Sequence, residues 1–355
     1  MKKDGKYLIV GQGLAGTLLG LTLDLAGVDF EIIDNPGLSA CSRISAGVFN
    51  PVVFKRYTTS WRALEVFPHA FRFYRHIEKL LGIRIFYEIP LHKILSTHRE
   101  QEQWKVAASM NLSGVLNPDL FEFPFGPEQK STCFGEVLST GRVDVAFLLR
   151  HCLEKWNEEG RVSVGTFDFE ALKKEENGWS YKEKKFIGVL FCEGKEISRN
   201  PFFSWVKMKP ARGEVLVIKS KALPDDRIFH SGISIIPSGS GQFLVGSTYG
   251  WDNLSDIPDP EKINWLKEEL KKKIGNEFSV VEERAGVRPS VIDRRPVLGQ
   301  HPVMAGLWVM NGMGTRGVIL GPWLAEKLKG ALLGGEKIEE EISVGRFFQP
   351  ISQHR

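Results

Sequence analysis

Apolar residues recur along this chain with two periods, and the change from one to the other marks its elements. KYLIV (Lys6 to Val10) is an unbroken apolar run of strand length, Leu14 to Ala26 is apolar on every side as a buried helix is, and VDFEIID (Val28 to Asp34) is strand-like again. Gly27 stops the helix between them. The same succession returns near the C-terminus, where GLWVMN (Gly306 to Asn311) predicts a strand and GVILGPWLAEKLKGAL (Gly317 to Leu332) a helix with apolar residues around most of its surface. In the intervening parts, IRIFYEIPLHKIL, ARGEVLVI and GQFLVGSTYG alternate in the manner of antiparallel strands. One helix there is delimited residue by residue: Asp259 as N-cap, Pro260 at its first position, Ile263, Leu266, Leu270 and Ile274 on one face, and Gly275 as its stop.

Both strand-to-helix joins read G-x-G-x-x-G. In the first, GQGLAG, Gly11 allows the tight turn, Gly13 lets a pyrophosphate approach and Gly16 lets helix and strand pack closely, while the helix N-terminus offers its N–H groups to phosphate. Asp34 closes the second strand 21 positions after Gly13, where a carboxylate accepts hydrogen bonds from an adenosine ribose. As part of DNP, it would otherwise be a turn residue. The second join, GMGTRG, has only half of the motif, because after Leu333 comes the charged GGEKIEEEISV and no further β-α-β unit. Its helix N-terminus still favours a group that becomes negative, as a flavin does on reduction. The first turn would then hold the ADP half of FAD and the second its isoalloxazine ring, so that both serve one cofactor.

Length changes the picture to two domains or one fold with an inserted part, since 355 residues bury a large core. A net charge of +4 tolerates an anionic partner without requiring one. Lys271, Lys272 and Lys273 read as complementing a helix dipole rather than as an RNA contact. Cys41, Cys133, Cys152 and Cys192 lie far apart with no C-x-x-C, which argues against zinc or a disulfide framework and predicts a reducing, cytoplasmic setting. The lysines before the first apolar run imitate a signal peptide, but the glycine spacing and Asp24 favour the nucleotide turn. No other stretch has the ~20 apolar residues of a membrane span, and the sequons at Asn111 and Asn253 are read as chance matches.

With the two turns in place, further segments bring the chain close to a known family. SRISAGVFNP (Ser42 to Pro51), STGRVDVAFLLRHCLEK, GVLFCEG, ARGEVLVI, GQFLVGSTY and RAGVRPSVIDRRPVLG follow in the order found in the FAD-dependent amine oxidoreductases related to D-amino-acid oxidase, glycine oxidase and sarcosine oxidase, which the chain resembles over nearly its whole length. Within that family, SRISAGVFNPV and GMGTRGVILGPWLAEKL are most similar to the oxidoreductase half of bifunctional enzymes of tRNA wobble-uridine carboxymethylaminomethyl modification. The methyltransferase half has no counterpart in these residues. The resemblance implies an α/β fold: a discontinuous, Rossmann-like FAD-binding domain with a mixed sheet (1–80, 135–200 and 281–345), an α+β substrate domain on an antiparallel sheet (81–134 and 201–280), and a tail (346–355). Composition predicts that the chain loosens after Glu336. It also implies non-covalent FAD held by Gly11, Gly13, Leu14, Ala15, Gly16, Asp34 and Asn35, by Ser42, Arg43, Ser45, Ala46 and Gly47 under the flavin, by Phe167, Cys192 and Gly194, and by Gly312, Met313, Gly314, Thr315, Arg316, Gly317 and Val318.

No metal cluster or nucleophile triad stands out, which suits a reaction carried by a flavin. Arg288 in GVRP and Arg316 in GTRG match positions where glycine-oxidase-like members grip a substrate carboxylate, and a guanidinium suits a bidentate grip in a pocket. A structural ion pair is the alternative for each, and Arg284 is read as structural. Several amino-acid oxidases have an active-site tyrosine where this chain has Ser234 in SIIP; Tyr249 is the candidate substitute. Pro289 and Ser290 stand where sarcosine oxidases attach FAD through cysteine. The expectation is an FAD-dependent enzyme oxidising the C–N bond of a carboxylate-bearing amine or amino acid, with oxygen or another acceptor. The alternatives are the tRNA oxidoreductase, with tRNA as partner, and a catalytically inert flavin-binding redox module.

Overall fold

The computed structural model describes residues 5–37 and 41–349. Two compact units divide the chain: residues 1–43, 146–211 and 287–355 form the first, and 44–145 and 212–286 the second.

In the first unit a six-stranded sheet is built from β1 (Tyr7–Val10), β2 (Phe30–Asp34), β3 (Val162–Val164), β4 (Gly188–Phe191), β5 (Val297–Gln300) and β6 (Leu307–Asn311), in the order β3-β2-β1-β4-β6-β5. Five strands are parallel and β5 runs antiparallel along β6. The register sets Tyr7 between Phe30 and Gly188 and Val10 between Ile33 and Phe191. All four residues of β1 are buried, as expected of a strand covered on both faces. Helix α1 (Leu14–Leu25), α2 (Val145–Glu158) and α3 (Gly317–Gly334) belong to the helical layers. Those that follow the two glycine turns pack on each other: a Cβ on Gly317 would stand 2.8 Å from Leu14 Cδ2, and one on Gly321 2.3 Å from Leu18 Cδ1. Absence of side chains at these two positions is what lets the helices approach.

The expected loosening after Glu336 does not occur over the described residues. Ile342 and Val344 are fully buried, and Ser343 bridges Leu298 of β5, because these apolar side chains complete the core against the outer strand. Residues 350–355 of the expected tail lie outside the described residues.

The second unit carries an eight-stranded sheet whose order is Ser279–Arg288, Ala211–Lys219, Gln242–Gly246, Ile233–Gly239, Ile228–Ser231, Leu91–Ile94, Lys130–Val137, Leu116–Phe125. It is not wholly antiparallel as expected, for Ile228–Ser231 runs parallel to Leu91–Ile94. The chain reaches those two strands from distant segments, so no hairpin forces the antiparallel choice. Alternation is clear: Val215, Val217, Ile236 and Leu244 pack with Trp104 and Ala107, whereas Leu216, Ile218, Ile235 and Phe243 pack with Ile263, Leu266, Leu270 and Ile274. Those last four are the predicted face of the helix Pro260–Ile274, capped by Asp259 through the Glu261 N–H. Lys271 and Lys272 pair with Glu268 and Glu269, and the half-buried Lys273 donates to Ser231 Oγ at 3.2 Å.

The break between units falls at Arg43/Ile44 rather than near residue 80 as expected. The helix Ala63–Leu81 explains this, since Tyr74 stacks on Phe86 and meets Phe49 edge-on, all within the second unit.

Candidate cofactor cleft

The first glycine turn is built as its spacing requires. Gly11 has φ +97°, a left-handed value natural to glycine, and a Cβ there would meet the Cys192 carbonyl oxygen at 2.8 Å. A Cβ on Gly16 would lie 1.9 Å from the Gly11 carbonyl oxygen, so helix and turn touch backbone to backbone. Gly13 differs, because a Cβ there would approach only Ser42 Oγ, at 3.4 Å. It leaves an open cradle at the head of α1, where the Leu14 N–H donates to Ser42 Oγ at 3.1 Å. Gln12, buried, anchors the turn from below through Thr17 Oγ1 and the Leu149 carbonyl.

Asp34 closes β2 beside this cradle. Its Oδ1 accepts the Gln12 N–H at 2.9 Å and its Oδ2 pairs with Arg43 at 3.0 Å. Arg43 also donates to the Pro36 carbonyl, and Asn35 donates to Thr166 Oγ1 at 2.8 Å, so the loop after β2 is tied to the loop after β3.

These elements enclose a cleft of about 260 Å³ wholly within the first unit. Of the residues expected at the cofactor, it brings together Gly11, Gly13, Leu14 and Ala15 from the first turn, Asp34 and Asn35 after β2, Ser42 and Arg43, Phe167, Cys192 and Gly194 after the neighbouring strands, and Met313 of the second turn. Gly16 stands behind the turn and supports it. The other expected contacts are not on the cleft wall. Ser45, Ala46 and Gly47 fall in the second unit, where a Cβ on Gly47 would strike the Val143 carbonyl oxygen at 1.9 Å, so that glycine answers a packing demand. Gly312 packs against Val291, Gly314 faces Ser290, Gly317 belongs to the helix–helix contact, and Val318 is buried in the first turn of α3, with Thr315 and Arg316 leading into it.

Sequence reading missed part of the wall. Glu193, Lys195, Glu196 and Arg199 line it from the segment after β4, with Thr166 and Asn311. The available signal was positional: residues just past the carboxyl ends of parallel strands line the crevice of an open α/β sheet. Burial raises the Glu193 carboxyl to about 7, against the lowering effect of a hydrogen bond from Asn200 Nδ2 at 2.7 Å. Burial also holds the Cys192 thiol well above its ordinary range, so it stays protonated and unreactive.

The second turn lies beside the segment that carries Arg288. Ser290 bridges Met313, and the Gly314 N–H donates to the Pro289 carbonyl at 3.3 Å. Arg316 is the N-cap residue of α3, and burial lowers its guanidinium pKa. Tyr249, in the second unit, is 49% exposed and meets Trp251 edge-on at 5.0 Å. Ser234 Oγ pairs with His230 Nδ1 at 2.9 Å, and Phe54 stacks on that imidazole. None of the four cysteines is joined in a disulfide, and among the described residues no group of acidic, histidine and cysteine side chains could hold a metal. Nor is any helix among them long and apolar enough to cross a membrane.

Comparison with known proteins places this geometry. The family described as FAD dependent oxidoreductase matches residues 6–329. Glycine oxidase of Pseudomonas aeruginosa is 28% identical over 94% of this chain and 96% of its own length. The tRNA 5-methylaminomethyl-2-thiouridine biosynthesis bifunctional protein MnmC of Leptospira interrogans is 24% identical over 96% of this chain, which spans only 59% of that relative's length. Among solved structures, glycine oxidase from Geobacillus kaustophilus superposes with a TM-score of 0.79 at 17% identity, covering 98% of this chain and 100% of that one. That likeness is one of fold.

Proposed function

The chain belongs to the FAD dependent oxidoreductase family, and from that premise we propose that it oxidises the C–N bond of a carboxylate-bearing amine or amino acid. Its cofactor is FAD, and the residues of the cleft fit that group. Gly13 leaves the cradle at the head of α1 free of any Cβ, Asp34 on the cleft wall is the carboxylate assigned to the ribose, and the helix behind the second glycine turn packs on the first through Gly317 and Gly321. When bound, FAD accepts two electrons and a hydrogen from the substrate carbon.

What remains for the protein is to place that carbon and to balance charge. Arg288 and Arg316 are assigned the substrate carboxylate, and the observation that carries this assignment is the joining of their two segments at Gly314 and Pro289. Arg316 stays charged despite its burial, since a guanidinium does not lose its proton in proteins, and in surroundings poor in water it attracts a carboxylate strongly. The amine reacts in its neutral form, so position and charge suffice without a strong protein base. Tyr249 is the phenol carried over from the sequence resemblance, in place of the tyrosine that Ser234 replaces. FAD is held without a covalent bond, for Pro289 and Ser290 offer no thiol.

A second reading has its own support. The bifunctional tRNA relative matches across 96% of this chain, and a carboxymethylaminomethyl group on a nucleoside presents the same carboxylate and secondary amine to the same arginines. Anaerobic mixing of the holoprotein with glycine, sarcosine, other small amino acids and tRNA bearing that group distinguishes the two through loss of the flavin's visible absorbance. Bleaching by a small carboxylate-bearing amine supports the first reading, bleaching by the modified tRNA alone supports the second, and no bleaching by any carboxylate-bearing amine overturns both. The acceptor for the reduced protein is oxygen or another oxidant, and peroxide formation on admitting air tells the two apart.

A further inference from the structure

Of the carboxyls on the cleft wall, Asp34 answers to the dinucleotide turn and Glu196 pairs with Arg199, which leaves Glu193 to be accounted for. Glu193 follows β4 with only Cys192 between them, and its Cα stands 3.4 Å from the point that a Cβ on Gly11 would reach. It is therefore next to the turn whose helix N-terminus faces an anionic diphosphate. An ionised carboxylate at that place would confront like charge in a crevice with restricted water, a costly arrangement. The residue that holds it is neutral: Asn200, fully buried, donates its Nδ2 hydrogen to Glu193 Oε2 at 2.7 Å and fixes the side chain.

The other charged groups around the cleft are engaged differently. Asp34 pairs with Arg43 at 3.0 Å, and Glu196 pairs with Arg199 at 3.0 Å. Lys195 lines the wall on the same segment, Glu196 adds its negative charge to the surroundings of Glu193, and the Cys192 thiol is protonated. No titratable side chain enters from the head of α1 or from the loop Gly165–Phe167, and Asn311 turns its amide to the Gly194 carbonyl at 2.9 Å.

We propose that Glu193 binds the FAD diphosphate as the neutral acid, donating its hydrogen to a phosphate oxygen while Asn200 keeps the carboxyl oriented, so that FAD binding to the ionised apoprotein takes up one proton. Burial already brings this carboxyl to about 7 without the cofactor's charge, so the apoprotein crosses between the two forms near neutrality. The inference concerns cofactor retention and stands whichever amine is oxidised.

Calorimetric titration of the apoprotein with FAD, at pH 8 in two buffers of different ionisation enthalpy, counts the protons taken up. The expected count is close to one. Affinity should weaken about tenfold per pH unit above neutrality, and Glu193→Gln, which keeps the size and a donor, should bind FAD with no uptake and no such slope. An uptake of zero in the wild type, or an unchanged slope in a folded Glu193→Gln protein, overturns the proposal. Should that variant fail to fold, infrared difference spectra of wild-type FAD binding decide: a new neutral-carboxyl carbonyl band is expected, and its absence refutes the assignment.

Discussion

Replacing Gly16 by alanine tests whether the backbone contact beneath the first glycine turn is what shapes the cofactor cradle. The added Cβ would lie 1.9 Å from the Gly11 carbonyl oxygen and 3.3 Å from Ile9 Cγ2. The first of these partners is backbone and has no rotamer to change, so the turn must open by about 1 Å or more before the contact becomes tolerable. Overpacking of this kind costs about 1–3 kcal/mol, offset by roughly 1 kcal/mol from the better helix propensity of alanine. A net loss of up to about 2 kcal/mol lowers the Tm of the apoprotein by up to roughly 8 °C for units of this size. The effect on FAD should be larger, because the displaced Gly11 carries the N–H groups of Gln12 and Gly13 with it. Loss of one charge-assisted hydrogen bond, about 1.5–3 kcal/mol, weakens binding roughly ten- to a hundredfold. Fluorescence titration of apoprotein with FAD and a melting curve measure both quantities. Gly334→Ala, in the last turn of α3, is the control and should leave FAD affinity unchanged, since its Cβ would meet nothing nearer than Glu336 Cγ at 3.8 Å. Wild-type FAD affinity in Gly16→Ala would refute the reasoning.

Asp34→Ala removes the carboxylate assigned to the ribose, which also accepts from the Gln12 N–H and pairs with Arg43, so FAD affinity in the same titration should fall about tenfold or more; unchanged retention moves the ribose role elsewhere. Arg288→Met should keep FAD but slow flavin reduction by the true substrate roughly a hundredfold, whereas Arg316→Met, at the head of α3, should also shift the flavin potential; rapid-mixing reduction rates and potentiometry separate the two. His230 is pushed down to about 4 by burial, with Lys93 and Lys273 adding to it. Its unfolded form takes a proton below about 6.5 while the folded form does not, so stability should fall by about 1.4 kcal/mol per pH unit between these values and level off below. Urea unfolding at several pH values should show this slope in the wild type and its loss in His230→Gln.

Much of this was legible because it depends on neighbours in sequence. A strand, a turn with glycines at three fixed places, a helix and an acid at the next strand's end stand within the first 34 residues, and each was placed as it is found. The helix Pro260–Ile274 was likewise fixed by its own cap, face and stop. Sites that depend on distant segments were less visible. Gly47 has the same composition signal as a cofactor glycine, yet its partner is the Val143 carbonyl, nearly a hundred residues away. Arg212 and Glu214 read as ordinary polar positions of a strand, but folding buries them together at 2.7 Å.

Glu193 marks the boundary between the two kinds of information. By itself, the sequence determined that two glycine turns each lead from a strand into a helix, because turn geometry and helix entry are decided by torsion angles and residues a few positions apart. Only the tertiary structure decided that the segment after β4 would lean on Gly11, put a carboxyl into the cleft and back it with a buried asparagine. Dielectric surroundings and charge neighbours come from chain segments nearly two hundred residues apart, and no local pattern encodes them.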